Sequence, residues 1–242
     1  VKVYSNSEKY GLGETYSGVY APELIQPIVS FLERHFVGRL LGDDQVFESI
    51  KSLPFIGGGG IIQSVISAIE IAIWDLRGKI LNKPTFQLLS NNFRKTTPVY
   101  ASSGTAAFSP DEIKKDVDKI VSLGYSAYKM RIGYQDWITD IKRVEAARKQ
   151  LGDEDLMVDA IMGTIRPAWD ADKAINAARG LSEFDLRWLE EPTHPVDIKS
   201  LARVRSANIV PIAAGEAYTS ESDFDSIFYH GAVDILQFDA TH

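Results

Sequence analysis

Three carboxylates each follow a short apolar run in the second half of the chain. Asp159 follows LMV, Glu190 follows LRWL, and Glu216 follows IAAG. Alone, each would be read as a solvated loop acid or a helix cap. At the ends of three consecutive parallel strands, however, they would repel one another strongly unless a cation lay between them. Oxygen ligands favour a hard ion that leaves positions open for substrate, so we expect a Mg²⁺ site.

Two basic residues lie in the nearby run YKMRI. Because side chains alternate along a strand, Lys129 and Arg131 should point to one side and Met130 to the other. We expect the two basic side chains to face the predicted metal site. Glu191, next to a predicted ligand, is expected to hydrogen-bond this basic pair, and a plain structural acid is the alternative.

Six β-branched or aromatic runs position these residues, and amphipathic, charged segments separate them. The runs are PVYASS, SAYKMRI, LMVDAI, LRWLEE, IVPIAA and VDILQF, starting near residues 98, 126, 156, 186, 209 and 233. This alternation is typical of βα units and predicts an α/β fold, a parallel (β/α)₈ TIM-type barrel with its site at the carboxyl ends of the strands. Six strands do not close such a barrel, so we expect its C-terminal part to be missing from this sequence. A six-stranded open sheet is the alternative.

The turn-rich segment NNFRKTTP separates two differently patterned parts. Residues 1–95 are expected to form an N-terminal α+β domain, whose start is incomplete because the sequence begins at Val. Its helices are predicted near Pro22 to Phe36 and Ile61 to Leu81, and in the second of these apolar residues recur at helical spacing. Gly57 to Gly60 lacks the Lys-Ser/Thr of a phosphate loop and is interpreted as a hinge. Residues 98–242 are expected to form the barrel domain.

Composition excludes several classes of protein. The 242 residues are 45% hydrophobic and 24% charged, a globular balance, with a net charge of −7 that disfavours nucleic acid and anionic membranes as partners. There is no cysteine for a disulfide or a thiolate metal site. The most apolar stretch, residues 61–74, is too short and polar to span a membrane. We expect a cytoplasmic homo-oligomer that binds a small-molecule carboxylate.

The segments YKMRIG, MVDA, WLEEP, AAGE and LQFDATH, in this order, resemble the enolase superfamily, and GLGET with SVISAIEIAIWDLRGK resembles its capping domain. The resemblance covers essentially the whole chain. It implies that Mg²⁺ is bound by Asp159, Glu190 and Glu216. The reaction it implies is removal of the proton α to a carboxylate, with Mg²⁺ and nearby cations stabilising the enediolate.

The resemblance also assigns the remaining catalytic residues. Lys129 and Arg131 occupy the paired basic positions. Asp239, where another group of the superfamily has Lys, indicates the mandelate racemase group and would orient a His on a seventh strand, beyond the end of this chain.

Arg131 replaces the Lys that is usual at its position. A guanidinium stays protonated, so it suits clamping a carboxylate or hydroxyl better than acting as a base. This favours dehydration of an acid sugar, an aldonate or aldarate, to a 2-keto-3-deoxy acid. A racemase or epimerase, and a non-catalytic metal-binding or structural homologue, remain alternatives. Five further residues are candidate substrate contacts, the first three because they lie in a segment that resembles the capping-domain loop over the barrel mouth: Thr15, Tyr16, Tyr20, His194 and His242.

Overall fold

The computed structural model describes residues 1–53 and 59–241. The chain divides into two compact units. The first comprises Val1–Thr96, Tyr218–Glu221 and Asp239–His242, and the second comprises Thr97–Ala217 and Ser222–Phe238. The main division thus falls within the NNFRKTTP segment. The grouping of the two short C-terminal segments with the first unit had no signal in the sequence.

The first unit combines a two-stranded antiparallel ribbon with helices. Its strands are β1 (Lys2–Tyr4) and β2 (Tyr10–Leu12), and its helices are α1 (Ser17–Tyr20), α2 (Pro22–Phe36), α3 (Gln45–Lys51), α4 (Gly60–Leu81) and α5 (Phe86–Leu89). Helices α2 and α4 lie where the sequence predicted helices. The run Gly57 to Gly60, interpreted as a hinge, lies partly outside the described residues.

Two glycines let the ribbon lie directly on α4. A Cβ at Gly11 would stand 1.8 Å from the carbonyl oxygen of Ala72, and one at Gly13 would stand 1.8 Å from that of Ala68. Any side chain at these positions would therefore force the strand away from the helix. On α4, Val65, Ile66, Ile69 and Ile73 contribute to the buried core of this unit.

The second unit is a parallel six-stranded sheet with the βα order that the sequence predicted. Its strands are β3 (Ala101–Ser102), β4 (Ala127–Arg131), β5 (Asp155–Asp159), β6 (Leu186–Glu190), β7 (Ile212–Ala214) and β8 (Ile235–Leu236), and neighbours in sequence are neighbours in the sheet. The helices after the strands are α6 (Pro110–Ser122), α7 (Trp137–Leu151), α8 (Ala171–Leu181), α9 (Ile198–Ser206) and α10 (Glu221–His230), with a 3₁₀ turn at Ser182–Phe184.

Side-chain caps fix where four of these helices begin. Each capping oxygen accepts a hydrogen bond from the backbone N–H three residues later, which satisfies a donor that the first helical turn leaves without a partner. The capping residues of α6 to α9 are Ser109, Asp136, Asp170 and Asp197. These caps set where each βα loop ends. Among the described residues, no helix is both long and apolar enough to cross a membrane.

Candidate active site

The strand register brings the predicted acidic and basic residues to one edge of the sheet. Arg131 pairs with Asp159, and Asp159 pairs in turn with Glu190. All three are the last residues of their strands. Glu216 lies two residues beyond Ala214, the end of β7. The carboxyl ends of parallel strands meet at one edge, which is where (β/α) barrels place their chemistry.

Glu190 accepts hydrogen bonds from a residue of β4, from a residue of its own strand β6, and from Gln237, which follows β8. Lys129 Nζ lies 2.8 Å from its Oε1 and 2.7 Å from its Oε2, and both residues are buried. Trp188 Nε1 donates to Oε2 at 3.2 Å, and Gln237 Nε2 donates to Oε1 at 2.9 Å. Burial disfavours the charged ammonium, but the carboxylate of Glu190 outweighs it and raises the pKa of Lys129 above its usual value.

Sequence reasoning missed three residues of this arrangement. Trp188 could have been found, because it lies two residues before Glu190 and therefore shares its face of the strand. Gln237 and Tyr100 gave no such signal. The hydroxyl of Tyr100 lies 3.2 Å from Gln237 Nε2, and its ring packs edge-on against Trp188 with 5.5 Å between centroids.

Asp159 is buried among like charges. Its Oδ1 accepts from the Ile161 amide at 2.8 Å, and its Oδ2 lies 3.8 Å from Arg131 Nε. Burial, together with the carboxylates of Glu190 and Glu216, raises the pKa of Asp159 to about 7. The charges of Glu190 and Glu216 therefore oppose the ionisation of Asp159.

The hydrogen bonds of Glu191 do not involve the predicted basic pair, and its role stays a prediction. Its expected partners pair elsewhere, Lys129 with Glu190 and Arg131 near Asp159. Glu191 has a φ of 41°, so its side chain leaves the alternation of β6. Its hydrogen bond comes from the Gly163 backbone, and its Oε1 has no hydrogen-bond partner among the described residues. Burial, followed by the charges of Glu216 and Asp159, raises its pKa to about 8.

The donor set fits a hard divalent cation in its chemistry. Over residues 1–53 and 59–241, no three carboxylate or imidazole groups already stand in a metal-ligating arrangement. Both oxygens of Glu190 are instead turned to the ammonium of Lys129. Burial and the neighbouring carboxylates both disfavour the ionised form of Asp159, and a cation among these oxygens would offset both effects.

The other predicted site residues lie elsewhere in the chain. Asp239 belongs to the first unit, and its Oδ1 accepts from the amide and the hydroxyl of Thr241, each at 2.8 Å. Thr15, Tyr16 and Tyr20 also belong to that unit, where the two tyrosine rings pack edge to face at 5.5 Å. His194 lies in the loop after β6. His242 lies outside the described residues. The roles of these residues stay predictions.

Comparison with known proteins identifies the class. Residues 112–242 match the enolase C-terminal domain-like family. The chain therefore belongs to the enolase superfamily, and the family and barrel-fold predictions are confirmed.

Three relatives show how varied the chemistry of similar chains is. The 3,6-anhydro-α-L-galactonate cycloisomerase of Streptomyces coelicolor is 33% identical, and the alignment covers 100% of this chain and 66% of that protein. The crystal structure of a racemase from Streptomyces coelicolor A3(2) with bound magnesium is 32% identical, with a TM-score of 0.89, over 99% of this chain and 71% of that one. A mutant of L-talarate/galactarate dehydratase, solved with Mg and L-glucarate, is 29% identical, with a TM-score of 0.89, over 99% and 60% of the two chains. The chain thus spans about two thirds of the length of such relatives.

Proposed function

We propose that this protein is a Mg²⁺-dependent enzyme that removes the proton α to the carboxylate of an acid sugar and eliminates the β-hydroxyl as water. The product is a 2-keto-3-deoxy acid. The observation that carries the proposal is the placement of Asp159, Glu190 and Glu216 at or just beyond the ends of successive parallel strands, with the pKa of Asp159 raised to about 7. These three carboxylates are the proposed Mg²⁺ ligands.

The positive charges of the site serve the same step. An α-proton is very weakly acidic, so its removal needs stabilisation of the negative charge that develops on the substrate carboxylate. Bound Mg²⁺ would supply part of that stabilisation. Lys129 is 4% exposed and is held in place by Glu190. Its ammonium therefore supplies a second positive charge in a low-dielectric environment. Family resemblance assigns the base to a histidine oriented by Asp239.

Arg131 favours dehydration over racemisation. Its side chain is 41% exposed, so it can meet substrate at the edge of the sheet. A racemase removes a proton from one face of its substrate and delivers one to the other, which needs two titrating groups. A guanidinium does not titrate in proteins and is suited to clamping a carboxylate or a hydroxyl. One base suffices for elimination of water. The solved dehydratase that holds Mg and L-glucarate supports this substrate class.

The test is product analysis in D₂O. The full-length protein, loaded with Mg²⁺, is incubated with a library of aldonates and aldarates, and each mixture is analysed by NMR. We expect a 2-keto-3-deoxy acid from a subset of the library. If the main product is the C2-inverted, deuterated substrate, the enzyme is a racemase or epimerase. If no compound forms product or exchanges deuterium, the protein is a non-catalytic homologue. Either result overturns the proposal.

A further inference from the structure

Arg166 differs from most arginines of the second unit in its electrostatic environment. Five of the eight lie within 4 Å of a carboxylate oxygen, namely Arg131, Arg143, Arg187, Arg203 and Arg205. The exposed Arg166, in the loop after β5, has no ion-pair partner within the described chain. In a protein with a net charge of −7, a cation left without a carboxylate at this edge of the sheet is suited to an external anion.

Backbone oxygens hold the guanidinium of Arg166 in place. Its Nη1 donates to the carbonyl of Ile165 at 2.9 Å and to that of Gly163 at 3.3 Å. These contacts direct Nη2 towards the loop after β6, where it lies 2.6 Å from Nε2 of the half-buried His194. The charge is therefore oriented before any ligand arrives, which lowers the entropic cost of binding.

The contacts of His194 leave one N–H donor too many. The Val196 amide lies 3.3 Å from its Nδ1 and can donate only to an unprotonated nitrogen. Arg166 is likewise a donor only, so its contact with Nε2 needs a lone pair there. A neutral imidazole has one lone pair in the ring plane, and a protonated ring has none. Both contacts cannot be hydrogen bonds at once, and an anion beside the pair would accept the surplus N–H.

The two loops that carry this pair are fixed to the strands of the candidate metal site. Ala160 N donates to the carbonyl of Glu190 at 2.9 Å, and Met162 N donates to that of Glu191 at 3.3 Å. A Cβ at Gly163 would stand 3.0 Å from Glu191 Oε2, so the loops also pack closely. Arg166 follows Asp159 by seven residues, and His194 follows Glu190 by four.

We propose that Arg166 and His194 form a carboxylate subsite that binds the terminal carboxylate of a dicarboxylic acid sugar, remote from the carbon that loses its proton. The inference rests on the proposed function and narrows its substrate class. An aldarate carries a carboxylate at each end, whereas the matching aldonate ends in a neutral hydroxymethyl group. A fixed arginine with an adjacent imidazole donor distinguishes these two groups by a charge-assisted hydrogen bond.

The test compares galactarate with galactonate, which differ only at that terminus. In the Mg²⁺-loaded full-length protein, Arg166→Met should raise the KM and the calorimetric Kd for galactarate about ten- to hundredfold, the usual range for losing a charged hydrogen bond. The values for galactonate should stay within about twofold. His194→Gln keeps an N–H donor and should lose less affinity for galactarate than Arg166→Met does. Arg179→Met removes an exposed arginine on α8 and is the matched control. It should leave the KM and Kd for both ligands unchanged.

If Arg166→Met loses affinity equally for both ligands, or loses none for galactarate, the proposed subsite is wrong. Titration with inorganic phosphate distinguishes a free anion as the occupant. If Arg166→Met abolishes phosphate binding while leaving galactarate affinity intact, the pair binds a free anion and the proposal is wrong. Calorimetry needs no turnover, so the two proposals can fail separately. Weakened galactarate binding without any 2-keto product would retain the subsite and refute the dehydratase.

Discussion

The ammonium of Lys129 lies within 2.8 Å of both carboxylate oxygens of Glu190, and the two side chains are 5% and 1% exposed. A buried pair gains little net stability over apolar residues of the same size, but removal of one partner strands a charge in a low-dielectric environment. The carboxylate of Glu190 therefore stabilises the positive charge of Lys129.

We expect Lys129→Met to destabilise the fold by about 3–5 kcal/mol, because Glu190 keeps a buried charge without its partner. The double variant Lys129→Met/Glu190→Gln should recover part of this loss. Urea unfolding without added metal measures both. Lys142→Met, at an exposed position on α7, controls for the loss of one positive charge. A single variant as stable as the parent would show that the pair is not buried as described.

A second buried pair should couple α7 to two loops of the sheet edge. Arg143 Nη1 donates to Asp140 Oδ1 at 2.7 Å, its Nη2 donates to the carbonyl of Thr105, and Asp140 Oδ2 accepts from the Gly133 amide. Arg143→Met should lower the free energy of unfolding by about 3–5 kcal/mol. Adding Asp140→Asn should recover part of that, because the amide is neutral and can still accept from Gly133. Strictly additive losses in a double-mutant cycle would contradict the coupling.

Gly104 and Gly124 form a matched pair for separating backbone strain from crowding. Both have positive φ, 54° and 89°, but a Cβ at Gly104 would stand 2.5 Å from the Tyr128 hydroxyl, whereas one at Gly124 meets nothing within 4 Å. Gly124→Ala should cost about 1 kcal/mol from strain alone. Gly104→Ala should cost about 1–3 kcal/mol more, since the core must shift. Thermal unfolding checks the difference, and equal losses would refute the predicted clash.

Asp116 should contribute stability that is lost in acid. Burial opposes its ionisation, but hydrogen bonds from Tyr128, Ser103 and Gly104 outweigh it and hold the pKa of Asp116 below its usual value of 3.8. Its contribution is therefore present above the unfolded pKa and is lost as the pH falls through the lower, folded pKa. The difference in unfolding free energy between the parent and Asp116→Asn should shrink below about pH 4.

Asp118→Asn, an exposed change on the same helix, is the control for this pH series. A difference in unfolding free energy between the parent and Asp116→Asn that stays constant down to pH 2 would show that the hydrogen bonds do not stabilise the ionised carboxylate.

The positions of Asp159 and Glu190 could be predicted because each ends an apolar run, and strand ends share one edge in a parallel sheet. Contacts across the sheet could not be predicted in this way. Gln237 and Glu190 are 47 residues apart, and Gln237 and Tyr100 are 137 apart, so no local pattern relates them. The positive φ of Glu191 could not be predicted either, because strand alternation gives no sign that its backbone turns there.

Calorimetric titration of Mg²⁺ into the full-length protein tests the central claim most directly. Glu216→Gln should weaken Mg²⁺ binding by at least about tenfold and abolish turnover. Changing a residue that only hydrogen-bonds a metal ligand already lowers metal affinity by about that factor. Circular dichroism should show an intact fold. Glu183→Gln, an exposed carboxylate replaced in the same way, should bind Mg²⁺ as the parent does. Unchanged Mg²⁺ affinity in Glu216→Gln would contradict the proposed ligand set.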